Sequence, residues 1–364
     1  MKSKYVRWVL LSLLICLLVM FTGVSCKSTP PVEEPASADS AAPDQAAIDA
    51  LNAAAARAAA ARKLVNDFDG PTLFPSDWQA AESLYSQAEQ QKKTSTTEEI
   101  KESTARYNKA ADAFDAMRDK TLAGYYENKQ NELIRARSAA VSAGAYEYVP
   151  EYLLEVDNLV AEAEKKYQAK DYYGANDDAK KALSMYEAGA AGLEAYRVRE
   201  VIADRDFEKY DRNNVSYADD ALMSAADDYV AGDFAAAKDK ADEALLRYNL
   251  ALKTAWQAYA GEKGAQVSAE RQRALDAKAN VAVREDFNSA QAVYTRANTA
   301  FQGQRFEEAS LLYDECGPKF GAAARAAAEK RQAAETALRR AEVKMAEADQ
   351  IAKDAEVILE GGIE

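Results

Sequence analysis

Three cysteines and no histidine set the chemistry open to this chain of 364 residues. Without imidazole there is no His-based general acid–base pair, no His-containing triad and none of the common zinc or iron sites. Cys16, Cys26 and Cys316 form no C-x-x-C pair, which removes the zinc-finger and iron–sulfur classes. Cys316, in Asp314-Glu315-Cys316-Gly317, reads as a small residue at a helix end, since no histidine activates it as a nucleophile. Acids cluster at Asp177-Asp178, Asp219-Asp220 and Asp227-Asp228. None has the alternating oxygen ligands, the glycine and the twelfth-position glutamate of a calcium loop, so they read as solvated helix faces. Glu82 and Glu89 would serve as a carboxylate pair, but among 60 acids such a pair carries no information. No glycine-rich phosphate loop occurs. The chain reads as non-enzymatic, with no catalytic residue, cofactor or metal.

Cys26 is the exception, because its position in the chain gives it a chemistry. Lys2, Lys4 and Arg7 precede an apolar run from Trp8 to Phe21, and Thr22-Gly23-Val24-Ser25 close it with small residues. A secretory signal has this order of parts, and the run is short for a membrane-spanning helix. The ending resembles a bacterial lipobox, with Gly23 where leucine is usual, a looser pattern similar to that of spirochaetal lipoproteins. The resemblance implies cleavage after Ser25 and diacylglycerol on the Cys26 thiol. Two or more acyl chains would hold the protein firmly to a membrane. Residues 1–25 are then a signal peptide. Residues 26–45, with Pro30, Pro31, Pro35 and Pro43 among Ser, Ala and Glu, are a disordered tether.

The remainder must be helical. Alanine, the strongest helix former, supplies 79 residues, against 15 glycines and 8 prolines. Runs of Val and Ile for a parallel sheet are missing. Formal net charge is −14, and loss of the three cations before Cys26 leaves −17, which disfavours nucleic acid and anionic headgroups. Alanine periodicity and breakers predict helices over 46–66, 76–92, 97–143, 150–169, 172–209, 215–231, 234–280, 285–303, 306–316 and 319–357. Breaks are placed near Gly124, Gly189–Gly192 and Gly261–Gly264. Ser76 to Gln79 and Thr96 to Glu99 have capping-box spacing.

The body repeats itself. Tyr167, Asp171, Tyr172 and Ala175 superimpose on Tyr229, Asp233, Phe234 and Ala237, then on Phe301, Arg305, Phe306 and Ala309. The register extends to Ala163, Ala225 and Ala297 before the turn and to Tyr186, Tyr248 and Phe320 after it. Ala182 and Ala244 match Cys316. A degenerate copy begins at Trp78, with Tyr85 and Ala88 in place. Each copy reads as an α-hairpin in which alanines permit close approach and an aromatic stripe fills the seam. The pattern resembles the tetratricopeptide repeat, except that copies start 62 and then 72 residues apart and the first two lack the terminal proline. Either the second helices are very long or further helices lie between copies. The fold class is all-α, an elongated array of antiparallel helical hairpins, TPR-like with irregular repeats and some long helices. Residues 46–149 form an N-terminal helical region with the degenerate copy, 150–320 the hairpin repeats, and 321–364 a long C-terminal helix. That last helix has a weak seam, with i,i+4 neighbours such as Glu342 and Ala346, and strict heptads are absent. It either projects or pairs with another copy.

Taken with Cys26, the alanine- and glutamate-rich helices and these copies, the chain resembles the treponemal membrane lipoproteins. The resemblance implies a lipid-anchored envelope protein facing the periplasm, with no catalytic residues. Its function would be a helical scaffold for an envelope protein partner; the alternatives are a peptidoglycan or glycan binder and a lipid or cargo binder. Most of the 20 tyrosines fall on the repeat stripe. Tyr125, Tyr126, Tyr146, Tyr148 and Tyr152 are less clearly periodic, and they are the candidate exposed recognition surface. Oligomeric state stays open.

Overall fold

A computed structural model describes residues 42–361; the expected signal peptide, the expected lipidation residue Cys26 and most of the expected tether lie outside them. Every regular element among the described residues is helical. They divide into two compact units, one up to Thr121 and one from Leu122.

The first unit comprises α1 (Gln45–Asp67), the short α2 (Gly70–Leu73), α3 (Pro75–Gln90) and the beginning of α4 (Thr97–Ser142). Asp44 caps α1 by accepting from the Ala46 amide at 3.1 Å. Thr96 accepts from the Glu99 amide at 3.2 Å, so the N-cap half of the second capping sequence is realised, without the return bond from the Glu99 side chain. The first is not: α3 starts at Pro75, whose missing N–H costs nothing in a first turn. Leu51, Ala58, Ala88, Ile100 and Tyr107 form one apolar cluster, and Val65, Ala81, Phe114 and Met117 another.

The second unit holds the rest of α4, then α5 (Ala145–Tyr148), α6 (Pro150–Gln168), α7 (Tyr172–Asp204), a 3-10 turn (Glu208–Tyr210), α8 (Arg212–Ala231), α9 (Phe234–Asp276), α10 (Ala279–Ala282), α11 (Arg284–Gln302) and α12 (Phe306–Gly361). The hairpins are α6–α7, α8–α9 and α11–α12, and their turns are alike. Lys170, Gly232 and Gln304 are left-handed, and the next amide reaches back to the carbonyl of Lys166, Asp228 or Ala300 at 2.9 Å. This is a Schellman ending, which satisfies carbonyls that the helix end would otherwise orphan. The two turn aromatics meet edge to face across it: Tyr167–Tyr172 at 5.6 Å, Tyr229–Phe234 at 5.0 Å and Phe301–Phe306 at 5.3 Å. Asp171 and Asp233 then cap α7 and α9.

The 62-residue spacing has a structural cause. The second helix of each of the first two hairpins, α7 and α9, overruns its own partner, and its later half packs the next hairpin. Thus α9 lies against α7, α8 and α12. Helices α4, α7 and α9 each end just before another left-handed residue, Gly144, Asp206 or Lys278, which is followed by a single helical turn. For this reason the helix expected over 172–209 stops at Asp204, and that over 234–280 stops at Asp276. The glycines near 124, 189–192 and 261–264 break nothing, because packing on both sides outweighs about 1 kcal/mol of propensity per glycine.

A polar clamp repeats with the fold. Arg137 of α4 forks onto Asp157 of α6 at 2.7 and 2.8 Å, and Asp157 also accepts from the Tyr186 hydroxyl of α7. One copy on, Arg199 of α7 holds Asp219 of α8 at 2.8 Å, and Tyr248 of α9 donates to the same carboxylate at 2.5 Å. The spacings are 20 and 29 residues in both. The third copy keeps Arg271 on Gln291 at 2.6 Å and replaces the tyrosine by Phe320. In the first unit Arg62 grips Glu82, again 20 residues on, at 2.7 and 2.8 Å. Each of the two full clamps ties three helices, α4, α6 and α7 in one and α7, α8 and α9 in the other. A second pair reverses sign between copies: Lys166 meets Asp178 at 2.6 Å, and Asp228 meets Lys240 at 2.5 Å. Ala300 and Leu312, both buried, occupy the corresponding places in the third.

Pro318 lies inside α12, so the helices expected over 306–316 and 319–357 are one element. Burial of Cys316, Phe320, Ala323 and Ala327 on either side carries the helix through the lost hydrogen bond. Replacing Pro318 by alanine is therefore expected to raise stability by about 1–3 kcal/mol. Equilibrium denaturation checks this, and a loss of stability would mean that the proline is accommodated without cost.

Candidate functional site

The five candidate tyrosines separate into three groups. Tyr125 and Tyr126 are buried, which corrects their expected exposure. The later part of α4 turns both against α6 and α7: the Tyr125 hydroxyl donates to Asn176 at 2.7 Å, and the Tyr126 ring stacks on Tyr167 at 3.7 Å between centroids. Tyr146 is 60% exposed and accepts from Arg137 at 3.1 Å. Tyr148 and Tyr152 come together at the mouth and wall of an apolar groove of about 440 Å³.

Helices α6, α7, α8 and α9 build the groove, with Tyr148 at the end of α5. Ala188, Gly189 and Gly192 from α7 and Ala225, Ala237 and Ala241 from α8 and α9 give it a floor of small residues. Tyr148, Tyr152, Tyr196 and Tyr229 wall it, and no charged side chain lines it. The aromatic pairs are edge-on: Tyr148–Tyr196 at 5.4 Å and Tyr152–Tyr229 at 6.0 Å. Such pairs contribute about 0.5–1.5 kcal/mol beyond burial and hold the walls in place.

Gly189 is what lets the wall form. A Cβ there would come within 2.3 Å of the Tyr152 ring and hydroxyl. Tyr152 instead lies flat enough on α7 for its hydroxyl to donate toward the Met185 and Tyr186 carbonyls, at 3.0 and 3.2 Å. Gly192 has open space where its Cβ would be, and that space is the groove. In the repeat register Gly189 corresponds to Ala251 and Ala323, and Gly192 to Thr254 and Ala326. The glycine pair is the signal that marks this copy. Read as a helix breaker, it conceals the groove, and Tyr196 and Tyr229 are missed with it.

Two of the four wall hydroxyls are already engaged, those of Tyr148 and Tyr152. The Tyr148 hydroxyl donates to Glu200 at 2.5 Å, and that carboxylate with burial pushes the phenol up to about 12. Desolvation raises Tyr152 and Tyr229 well above the ordinary phenol value. The Tyr229 hydroxyl is buried without a hydrogen-bond partner. A groove with this lining offers mostly hydrocarbon and aromatic contact, with the Tyr229 hydroxyl as its unpartnered polar group.

Elsewhere the chemistry is quiet. Cys316 is a buried free thiol inside α12, not at a helix end, and donates to the Tyr313 carbonyl at 3.6 Å. Burial pushes the thiol up to about 11, which suppresses the thiolate. Among the described residues no group of three or more acids and cysteines is placed to hold a metal. No helix among them is long and apolar enough to cross a membrane.

The chain is similar to Treponemal membrane protein A of Treponema phagedenis, 22% identical over 228 residues. The match covers 62% of this chain and 66% of the relative. No protein-family model matches the chain, and no solved structure does.

Proposed function

We propose that the protein is a lipid-anchored, non-enzymatic envelope scaffold, held to a membrane through Cys26, facing the periplasm and docking an envelope protein in the α6–α9 groove. The observation that carries this reading is the groove's lining of alanine, glycine and tyrosine, with no charged side chain. A small-residue floor admits the side chains of an amphipathic helix, and aromatic walls grip them. Similarity to a protein named for its membrane supports the location. A second reading, an acyl chain as occupant, is favoured by the absence of charged groups from the lining.

The test places a photo-crosslinking amino acid at Tyr196, 42% exposed at the rim, in intact cells. The expected product is one dominant protein adduct. Lipid adducts alone would install the second reading, and muropeptide adducts would overturn both. The anchor is tested separately: Cys26→Ala is expected to abolish incorporation of labelled palmitate and to release the protein from membranes. Undiminished labelling of that variant would refute lipidation at Cys26.

A further inference from the structure

The last residues of α12 leave the rest of the unit behind. Ala327 is the final buried residue, and all side chains from Ala328 to Ile358 are exposed. That is roughly 45 Å of helix at 1.5 Å per residue. Leu338, Met345 and Ile351 on it are each more than 60% exposed. A helix face of this kind is normally covered.

The exposed residues fall into heptads. With Leu338, Met345 and Ala352 at position a, position d holds Ala334, Ala341, Ala348 and Ala355. The alternation of three and four is unbroken across three heptads, which is the repeat of a left-handed two-stranded seam. It corrects the expectation that heptads are absent: most seam positions are alanine, so a search for large apolar residues passes over them. Val343 and Val357 lie on the opposite face.

Charge selects the occupant and its direction. Position e is acidic in four successive heptads, at Glu335, Glu342, Asp349 and Glu356. An antiparallel pair would set these acids against one another, e facing e. A parallel pair sets e against g of the other strand, where Ala337, Lys344 and Ile351 stand. In register, Lys344 then meets Asp349 of the second copy. We propose that α12 pairs with a second copy of this chain as a parallel, in-register coiled coil over residues 334–355. The dimer would set two α6–α9 grooves on one assembly, so a bivalent partner would gain avidity without any new contact.

The experiment uses the full chain in detergent, with single cysteines placed at d positions, Ala341→Cys and Ala355→Cys. Cys316 is buried and stays out of reach of oxidant. Both variants are expected to give disulfide-linked dimers on mild oxidation, because d faces d in a parallel register. A sedimentation-equilibrium mass of two chains is expected for the natural sequence, and Met345→Lys is expected to weaken dimerisation at least tenfold with unchanged helicity. Crosslinking at only one of the two positions would refute the parallel register. A monomer at tens of micromolar would refute the pairing altogether.

Discussion

Replacing Asp219 by alanine is expected to cost about 2–3 kcal/mol of stability, the larger part of what breaking a fully buried ion pair costs. The carboxylate receives Arg199 of α7 and Tyr248 of α9 at once, and Tyr248 is fully buried. Its removal leaves a phenol with no acceptor and a guanidinium with only Glu208, at 3.6 Å, nearby. The discount from a buried pair reflects the Asp219 side chain, which is 39% exposed. Gln291→Ala in the third copy is the control. There the partner is an uncharged amide and the tyrosine is Phe320, so the expected cost is under about 1 kcal/mol. Urea denaturation of the two variants decides the matter, and equal losses would show that the clamps are ornaments of the packing. The preceding clamp adds a dependence on pH. Arg137 holds the Asp157 carboxyl below its ordinary value, with Tyr186 assisting. The folded state therefore binds fewer protons at this group than the unfolded chain, so stability rises with pH there. The contribution is complete above the unfolded value near 4 and is lost as pH falls through the lower folded value. Asp157→Asn is expected to flatten that part of the acid unfolding curve.

The hairpins were legible because their turns repeat in aromatic and small residues at fixed offsets. Tyr167 with Tyr172, Tyr229 with Phe234 and Phe301 with Phe306 are neighbours in sequence and in space. The clamps were not legible, since their members stand 20 and 29 residues apart and the third copy exchanges two of the three. Helix length was underestimated at Pro318, where tertiary burial overrides a local breaker, and overestimated at Asp204, where Asp206 takes a left-handed conformation and Phe207 turns in against Trp256 at 4.9 Å. The tyrosines show the limit of counting residues off a stripe. Tyr125 and Tyr126 face the hairpin packed beside them, and only Tyr148 and Tyr152 of the five reach the groove. What makes that groove is an absence of side chain at Gly189 and Gly192, and absence is read only by comparing copies.

The second large effect follows from that comparison. Gly189→Ala replaces the residue under the Tyr152 ring by the one that its counterparts Ala251 and Ala323 already carry. On helix propensity alone the change would stabilise by about 1 kcal/mol. The contact at 2.3 Å reverses the sign: Tyr152 must leave its seat, releasing the Met185 and Tyr186 carbonyls and its edge-on contact with Tyr229. The expected net loss is about 1–2 kcal/mol, in the range of overpacking changes. A double-mutant cycle isolates the cause. Once Tyr152 is alanine, Gly189→Ala has no ring to displace and is expected to stabilise by about 1 kcal/mol. Gly192→Ala, with open space at its Cβ, is expected to stabilise in both backgrounds. The coupling between positions 152 and 189 should then be about 2–3 kcal/mol. If Gly189→Ala stabilised equally with and without the ring, Tyr152 would not be seated by the glycine. The groove would then owe its wall to the Tyr148–Tyr196 and Tyr152–Tyr229 edges alone.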